Sequence, residues 1–284
     1  MSEKIFPRTS VAGVSMPRML IGTNWMLGYS HTSVAADDYI VNKVKNRDAI
    51  ADIVEAFLEY GIDAIMGPLS NCDPVMDGVS LAEQRTGKKV IRVDTPIINV
   101  DDNAGARKET EAIITKSRTT GCTFCLPHHS SVEQLVCKNK RSIERLPDYL
   151  KMIRDNGLIP GLSAHMPELI VFSDEQGYDV ETYIQIFNCM GFLMQVEIEY
   201  IHKVICSARK PVMTIKPMAA GRCSPFVGLT FAYAALREKD MVTVGCMTPA
   251  EAHEDVEIGL AAIERRQPDI EGRKSPNKTA AMQG

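Results

Sequence analysis

The sequence predicts an α/β chain folded as a single-domain (β/α)8 TIM barrel, with its working site at the C-terminal ends of the strands. Two observations carry the prediction. Short β-rich runs alternate with longer stretches of helical period, and the alternation occurs eight times. The chain has 284 residues, 45% of them apolar, which suits one large core of the size that closed α/β barrels use.

In chain order, the first strand falls at 18–24. Residues 48–60 form an amphipathic helix, because Ile50, Ile53, Val54, Phe57 and Leu58 share one face and Gly61 stops it. The second strand is 62–66, and a helix that ends over 81–86 leads to the third at 89–93. A helix over 108–117, a fourth strand at 122–126 and a helix over 142–156, closed by Gly157, bring the chain to the fifth strand at 158–162. A short helix from Pro167 and a strand at 183–187 make the sixth unit. A helix over 194–208, a seventh strand at 211–215, a helix over 227–237 and an eighth strand at 241–244 follow. The last helix spans 249–264, with Thr248 as its cap and an acidic first turn. Residues 1–264 thus make the barrel, with 5–17 placed to cover its bottom. Residues 265–284 carry Pro268, Pro276 and several charges, bury too little apolar surface to repay ordering, and read as a flexible polar tail.

Composition excludes several classes. Formal net charge is −4 with no basic stripe, so a nucleic-acid partner has no electrostatic footprint. No apolar run reaches membrane-span length, and the N-terminus lacks the apolar stretch of a signal peptide. The eight cysteines are scattered through mostly apolar surroundings, as expected for reduced thiols in a soluble cytoplasmic protein. Cys122 and Cys125 have redox-motif spacing, but they sit inside a strand, where alternation sends the two sulfurs to opposite faces, and they read as core packing. No Gly-x-Gly-x-x-Gly run follows a strand, which excludes a Rossmann site. The expected partner is a small-molecule substrate, with a homo-oligomer left open.

In a barrel, residues just past a strand's carboxyl end point into the mouth. The first strand delivers Asn24 and Trp25, then a long loop containing His31; the third delivers Asp94; the fourth His128 and His129; the fifth His165; the seventh Lys216, followed by Ala219, Ala220, Gly221 and Arg222. His128, His165 and Lys216 are the candidate catalytic residues. If the strand pleat continues, only one of His128 and His129 faces inward, and His128 is preferred. An ammonium at the inner end of a strand must find an anion or a carbonyl to attack, unless it pairs with a neighbour such as Asp94. Asn24, Trp25, His31, His129, Asn188 and Arg222 are the candidate substrate-binding residues. His128, His165 and Asp94 together offer a three-ligand set for a divalent metal (zinc, manganese or iron).

Four stretches carry a family resemblance. Residues 13–23, from Gly13 through Pro17 and Arg18 to Gly22 and Thr23, resemble the opening hairpin and first strand of the aldo-keto reductases. Gly161 to His165 is similar to their fifth strand end, Ile215 to Arg222 to their seventh-strand segment, and Val244 to Glu251 to their eighth strand and the helix beyond it. The resemblance spans the whole barrel and implies a divergent member of this NAD(P)-linked TIM-barrel superfamily, with a short N-terminal hairpin and a nicotinamide cofactor that serves carbonyl reduction. The departures are as informative. The family's Asp and Tyr after strand two and Lys at strand three have no counterpart, since those strands end in Gly67, Pro68, Leu69 and in Asp94, Thr95, Pro96. Only the histidine carries over, as His128 or His129. The basic groups that hold the cofactor's phosphate after strand eight are also missing.

Three functions follow. One is His/Lys acid–base chemistry on a small polar carbonyl or sugar-derived compound, of isomerase, lyase or aldolase type, with or without a metal. Another is an NAD(P)H-dependent oxidoreductase with rewired acid–base residues. The last is a non-catalytic binding barrel that kept the fold. The first leads, because titratable groups rather than apolar ones replace the family's tetrad.

Overall fold

The structure is a computed structural model and describes residues 4–270. Its strands are β1 (Arg8–Val11), β2 (Val14–Pro17), β3 (Met19–Gly22), β4 (Ala64–Gly67), β5 (Ile91–Asp94), β6 (Phe124–Cys125), β7 (Val136–Cys137), β8 (Ser142–Ile143), β9 (Ile159–Ala164), β10 (Thr182–Ile186), β11 (Val212–Ile215) and β12 (Met241–Val244). Its α-helices are α1 (Asn24–Leu27), α2 (Val34–Lys43), α3 (Arg47–Leu58), α4 (Asp73–Thr86), α5 (Ala104–Thr119), α6 (His129–Val132), α7 (Leu146–Asp155), α8 (Glu168–Gln176), α9 (Ile198–Ser207), α10 (Pro225–Ala235) and α11 (Pro249–Glu264). Eight strands close into a barrel in the order β3-β4-β5-β6-β9-β10-β11-β12, each parallel to its neighbours, and β12 returns to β3 with Val242 beside Met19.

The strand pleat sorts the core into two layers. Leu20, Ala64, Met66, Val93, Phe124, Ile184, Met213 and Met241 fill the barrel interior. Alternate residues such as Ile21, Ile65, Cys125, Leu162, Tyr183 and Val242 face the surrounding helices. Val11 and Met16, from the antiparallel β1–β2 hairpin, join the interior layer and plug the N-terminal end. The hairpin expected from residues 13–23 is thus built from 8–17, ahead of the first barrel strand.

Local signals act where the sequence places them. Gly61 and Gly157 end their helical turns in the left-handed region, at φ +71° and +72°. Thr248 caps α11 by accepting the Glu251 N–H at 3.1 Å, and the Glu251 carboxylate accepts the Met247 N–H at 2.7 Å, closing a capping box.

Four expectations need correction. The loop expected around His31 contains α1 and α2, whose short or solvent-facing turns bury only Met26 and Ile40 and so give no periodic apolar signal. Residues 142–143 form β8 against β7 rather than the start of a helix, and α7 begins at Leu146. The helix expected over 194–208 begins at Ile198. Cys122 and Cys125 lie in the same outer layer, because the strand covers only the latter and alternation does not extend to the former. Burial pushes the Cys122 thiol up to about 12, in keeping with core packing.

Of the polar stretch at 265–284, residues 271–284 lie outside the described residues. Its first part ties back to α11, where Arg266 pairs with Glu257 and the Asp269 N–H donates to Glu257 at 2.8 Å. Among the described residues, no helix is long and apolar enough to cross a membrane.

One buried carboxyl makes the fold's stability pH-dependent. Asp255 on α11 is 4% exposed and receives the Cys246 thiol at 3.3 Å. Burial first, then the nearby Glu251 and Glu254, push it up from 3.8 to about 7. The folded state favours the neutral form. This contribution is therefore complete below the ordinary carboxyl range and is lost as pH rises to about 7. Asp255→Asn should stabilise the chain by about 4 kcal/mol at pH 8 and by less than half of that at pH 5, read from urea unfolding at both pH values. Equal gains at the two pH values would show that the carboxyl ionises normally.

Candidate active site at the barrel mouth

The candidate site is built from the segments that follow β6, β9 and β11, with a contribution from the α1–α2 loop. Strand β6 ends at Cys125, and Leu126 and Pro127 lead to His128, the N-cap of α6. The His128 Nδ1 accepts the Ser130 N–H at 3.3 Å and lies 2.8 Å from the Ser130 hydroxyl, as a cap does. His129 opens the helix. Its ring stacks on that of His165, just past β9, at 3.6 Å between centroids and 14° between planes. The His128 ring lies 4.2 Å from that of His129, inclined by 49°. Both residues therefore join the cluster, and His129 rather than His128 touches His165. The expected alternation fails because the chain turns into α6 at His129, directly after the last backbone bond to the β5 segment, from the His128 N–H to the Pro96 carbonyl at 2.8 Å.

Glu133 holds this cluster together. One turn along from His129, its Oε1 accepts the backbone N–H groups of His165 at 2.6 Å and of Met166 at 2.7 Å. Its Oε2 lies 3.7 Å from the His129 Nδ1. Burial pushes the Glu133 carboxyl up, but the neighbouring His129 and the two N–H donors outweigh it and hold the group below the usual carboxylate range. Glu133 is not among the site residues expected from the sequence. Its signal is the four-residue spacing from His129 at a helix start, which puts both side chains on one face.

The cluster's electrostatics follow from burial and crowding. Burial first, then the charge of His129 and that of Lys216, lower His128 to about 4. The same causes lower His165 to about 3. Both imidazoles are neutral at neutral pH. Lys216 follows β11 at a left-handed φ of +61°, and burial pushes its ammonium down from 10.5 to about 8. Its Nζ lies 3.0 Å from the His31 Nε2, and the Asn24 Nδ2 lies 3.1 Å from the same atom. Two donors on one ring nitrogen assign the lone pair to Nε2 and the proton to Nδ1. Burial and the Lys216 charge also hold His31 below its usual value. Arg222 fastens this arrangement from the other side. It donates to the His31 carbonyl at 3.3 Å and to that of Ala219 at 3.1 Å, with its guanidinium 3.9 Å above the Phe192 ring.

The remaining expected site residues divide. Trp25 on α1 lies against Gly245, where a Cβ would come within 2.6 Å of the indole, so it walls the seam between β12 and β3. Asn188 is buried, and its side chain serves its own loop. It accepts the Met190 and Phe192 N–H groups at 3.2 and 2.9 Å and donates to the Phe192 carbonyl at 3.0 Å. It is a loop brace, not a substrate ligand. Asp94 is fully buried and turned to the helix side of β5. Its Oδ1 accepts the Ser70 N–H at 3.2 Å and its Oδ2 the Ser117 hydroxyl on α5 at 2.5 Å. The proposed metal set of His128, His165 and Asp94 is therefore broken, because Val93 takes the inward position. Among the described residues, no three His, Cys, Asp or Glu side chains converge as a metal site. The other two histidines bond elsewhere, His202 to the Ala235 carbonyl and His253 to the Tyr60 hydroxyl, each at 2.9 Å.

Two surface clefts, of about 250 and 360 Å³, lie beside Arg107 and Tyr149 and beside Tyr200 and Arg209. Neither is lined by a mouth histidine or by Lys216.

A nicotinamide cofactor does not fit the residues present. After β12 the loop is closed by the Thr248–Glu251 capping box, which sets a carboxylate at the helix start, and residues 245–255 contain no lysine or arginine. No phenol or lysine stands at the ends of β4 and β5 to supply a proton to a new alkoxide.

No family model and no curated protein matches the chain. Solved structures do. A Pseudomonas aeruginosa protein assigned to the aldo-keto reductases superposes with a TM-score of 0.63 at 13% identity, over 90% of this chain and 95% of that one. An aldo-keto reductase from Klebsiella pneumoniae, in complex with NADPH, gives 0.56 at 12% identity over 96% and 98%. Aldose reductase from Giardia lamblia gives 0.52 at 14% identity over 89% of each chain. These likenesses establish that the chain has the aldo-keto reductase-like barrel fold.

Two measurements probe the site. Trace acetylation followed by peptide mass spectrometry across pH should show Lys216 half-reactive near pH 8. A curve near the ordinary lysine value of about 10.4 would mean that the amine is hydrated. Glu133→Ala strands two backbone N–H groups and should cost about 1–3 kcal/mol for each in denaturant unfolding, whereas Glu133→Gln keeps an acceptor and should cost clearly less. Equal losses would assign the stabilisation to the carboxylate charge instead.

Proposed function

We propose that this chain is an enzyme that forms an imine between Lys216 and a small polar carbonyl compound, and carries out lyase, aldolase or isomerase chemistry through it. The observation that carries the reading is the Lys216 amine itself. It is desolvated at a strand end, pushed down to about 8, and 3.0 Å from the lone-pair nitrogen of His31. At pH 7 roughly a tenth of such an amine is neutral, about two hundred times the fraction of an ordinary lysine.

The chemistry follows from that pair. The neutral Nζ adds its lone pair to the carbonyl carbon, and the carbonyl oxygen takes up a proton. His31 Nε2 accepts the proton that the attacking nitrogen must shed. Loss of water leaves the protonated imine, whose nitrogen draws electrons from an adjacent C–H or C–C bond as that bond breaks. A proton released there passes to His31, once that ring has returned its own proton to the departing water, and goes back to carbon or to the leaving fragment. Water then restores the carbonyl and the free amine. Asn24 and Arg222 hold His31 in place, so they position the proton acceptor for the reaction.

Borohydride reduction in the presence of pyruvate, glyceraldehyde or dihydroxyacetone phosphate should give a mass adduct on Lys216 with at least one of these probes. None should form in Lys216→Met. His31→Gln should slow trapping by about 10²-fold. Absence of any Lys216 adduct across a broader panel of small aldehydes and ketones would remove the imine from the mechanism.

A further inference from the structure

We propose that the rings of His128, His129 and His165 form a phosphoryl pocket, which takes the phosphate ester of a short-chain carbonyl substrate whose carbonyl carbon reaches Lys216. The link to Lys216 rests on the imine reading; the pocket does not.

The first support is geometric. The rings come from adjoining staves, β6 and β9, with His129 tilted against His128 at 4.2 Å and stacked on His165 at 3.6 Å. The second is the state of their polar atoms. Among the described residues, the His165 ring makes no hydrogen bond, and His128 uses Nδ1 in its cap, which leaves Nε2 uncommitted. Glu133 faces the His129 Nδ1, so that ring carries its proton there or on both nitrogens, and Nε2 points away from the carboxylate. The His128 ring is inclined by 49° to that of His129, so donors on the two rings do not share a plane. Donors that diverge in this way suit the several oxygens of a tetrahedral anion better than the two coplanar oxygens of a carboxylate.

The third support is charge. The cations near the mouth are Lys216 and Arg222. Glu133 is the carboxylate at the cluster, and it is occupied by two backbone N–H groups and His129. Asp94, the other acid at a neighbouring strand end, is turned to the helices. The cluster thus offers neutral N–H donors without a free counter-anion, and bonds from such donors to an ionised phosphate are charge-assisted. Strand β10 separates β9 from β11, so the pocket lies roughly 10 Å along the wall from Lys216 before side chains reach inward. A short carbon chain bridges such a gap.

The test uses the full chain and inorganic phosphate, followed by NMR of the histidine ring protons. Saturable shifts of His128, His129 and His165 are expected, with His202 and His253 unmoved, because those two are tied to Ala235 and Tyr60. Acetate at the same ionic strength should not reproduce them. His165→Gln should weaken phosphate about tenfold or more. A lack of saturable shifts in the wild-type chain, parallel movement of all the histidines, or an equal response to acetate would each overturn the pocket. Borohydride trapping separates the two readings. Glyceraldehyde 3-phosphate should be trapped at least tenfold faster than glyceraldehyde. If phosphate moves the rings but neither aldehyde is trapped, the pocket stands and the imine falls. If both aldehydes are trapped equally and phosphate moves nothing, the pocket falls and the imine stands.

Discussion

Closure of the parallel sheet is the constraint on which the rest of this structure depends. Because every barrel strand runs in the same direction, their carboxyl ends meet in one ring, and the residues that follow them must share a mouth. The floor of that mouth is apolar. Leu20, Met66, Val93, Phe124, Ile184 and Met213 fill the interior below it. An amine or imidazole set on such a floor loses hydration that a surface group would keep. Desolvation is accordingly the first cause of the lowered values at Lys216, His128 and His165. Closure also requires close approach at the seams. A Cβ on Gly67 would meet the Thr23 hydroxyl at 1.9 Å, and one on Gly245 would meet the Trp25 ring. Side-chain volume is withheld at the rim so that the staves and the first helix can meet.

The mouth divides into two halves with different electrostatic logic. On the β6–β9 side, the carboxylate of Glu133 sits beneath the histidines, bonded to the backbone that follows β9. It orients rings and loop together, so one group has both a structural and an electrostatic effect. On the β11 side, among the described residues, no carboxylate pairs with Lys216, and its close contact is the neutral His31 ring. That ring belongs to a segment outside the barrel proper. It is held by Arg222, which bridges the His31 and Ala219 carbonyls. Removing the guanidinium would loosen the contact between Lys216 and His31.

A shared barrel does not carry a shared reaction. The chain superposes on reductases over nearly its whole length, yet at 12–14% identity. The ends of β4 and β5 differ in kind from that family's pattern. Pro68 turns the chain into a short 3-10 turn with Leu69 and Ser70 buried, and Asp94 braces that turn through the Ser70 N–H. The segment after β4 is a packed corner. The polar groups of the mouth follow β6, β9 and β11, an arc that begins at the direct neighbour of β5.

The sequence by itself determined the barrel, because that depends on local rules repeated along the chain: period-two and helical apolar patterns, the stops at Gly61 and Gly157, and the cap at Thr248. It also determined that His128, His129, His165 and Lys216 lie at one end, since a parallel barrel sends every strand's C-terminus to the same face. Only the tertiary structure decided where those side chains point. Past the last ladder bond the pleat no longer dictates direction. Lys216 turns at φ +61° and α6 starts at His129, whereas Asp94, still inside β5, is turned outward by the pleat and meets Ser117 on α5. Asn188 likewise closes on its own loop, and Glu133 reaches the backbone of a residue 32 positions away. Each of these outcomes is set by a partner that folding brings close and that no local pattern encodes.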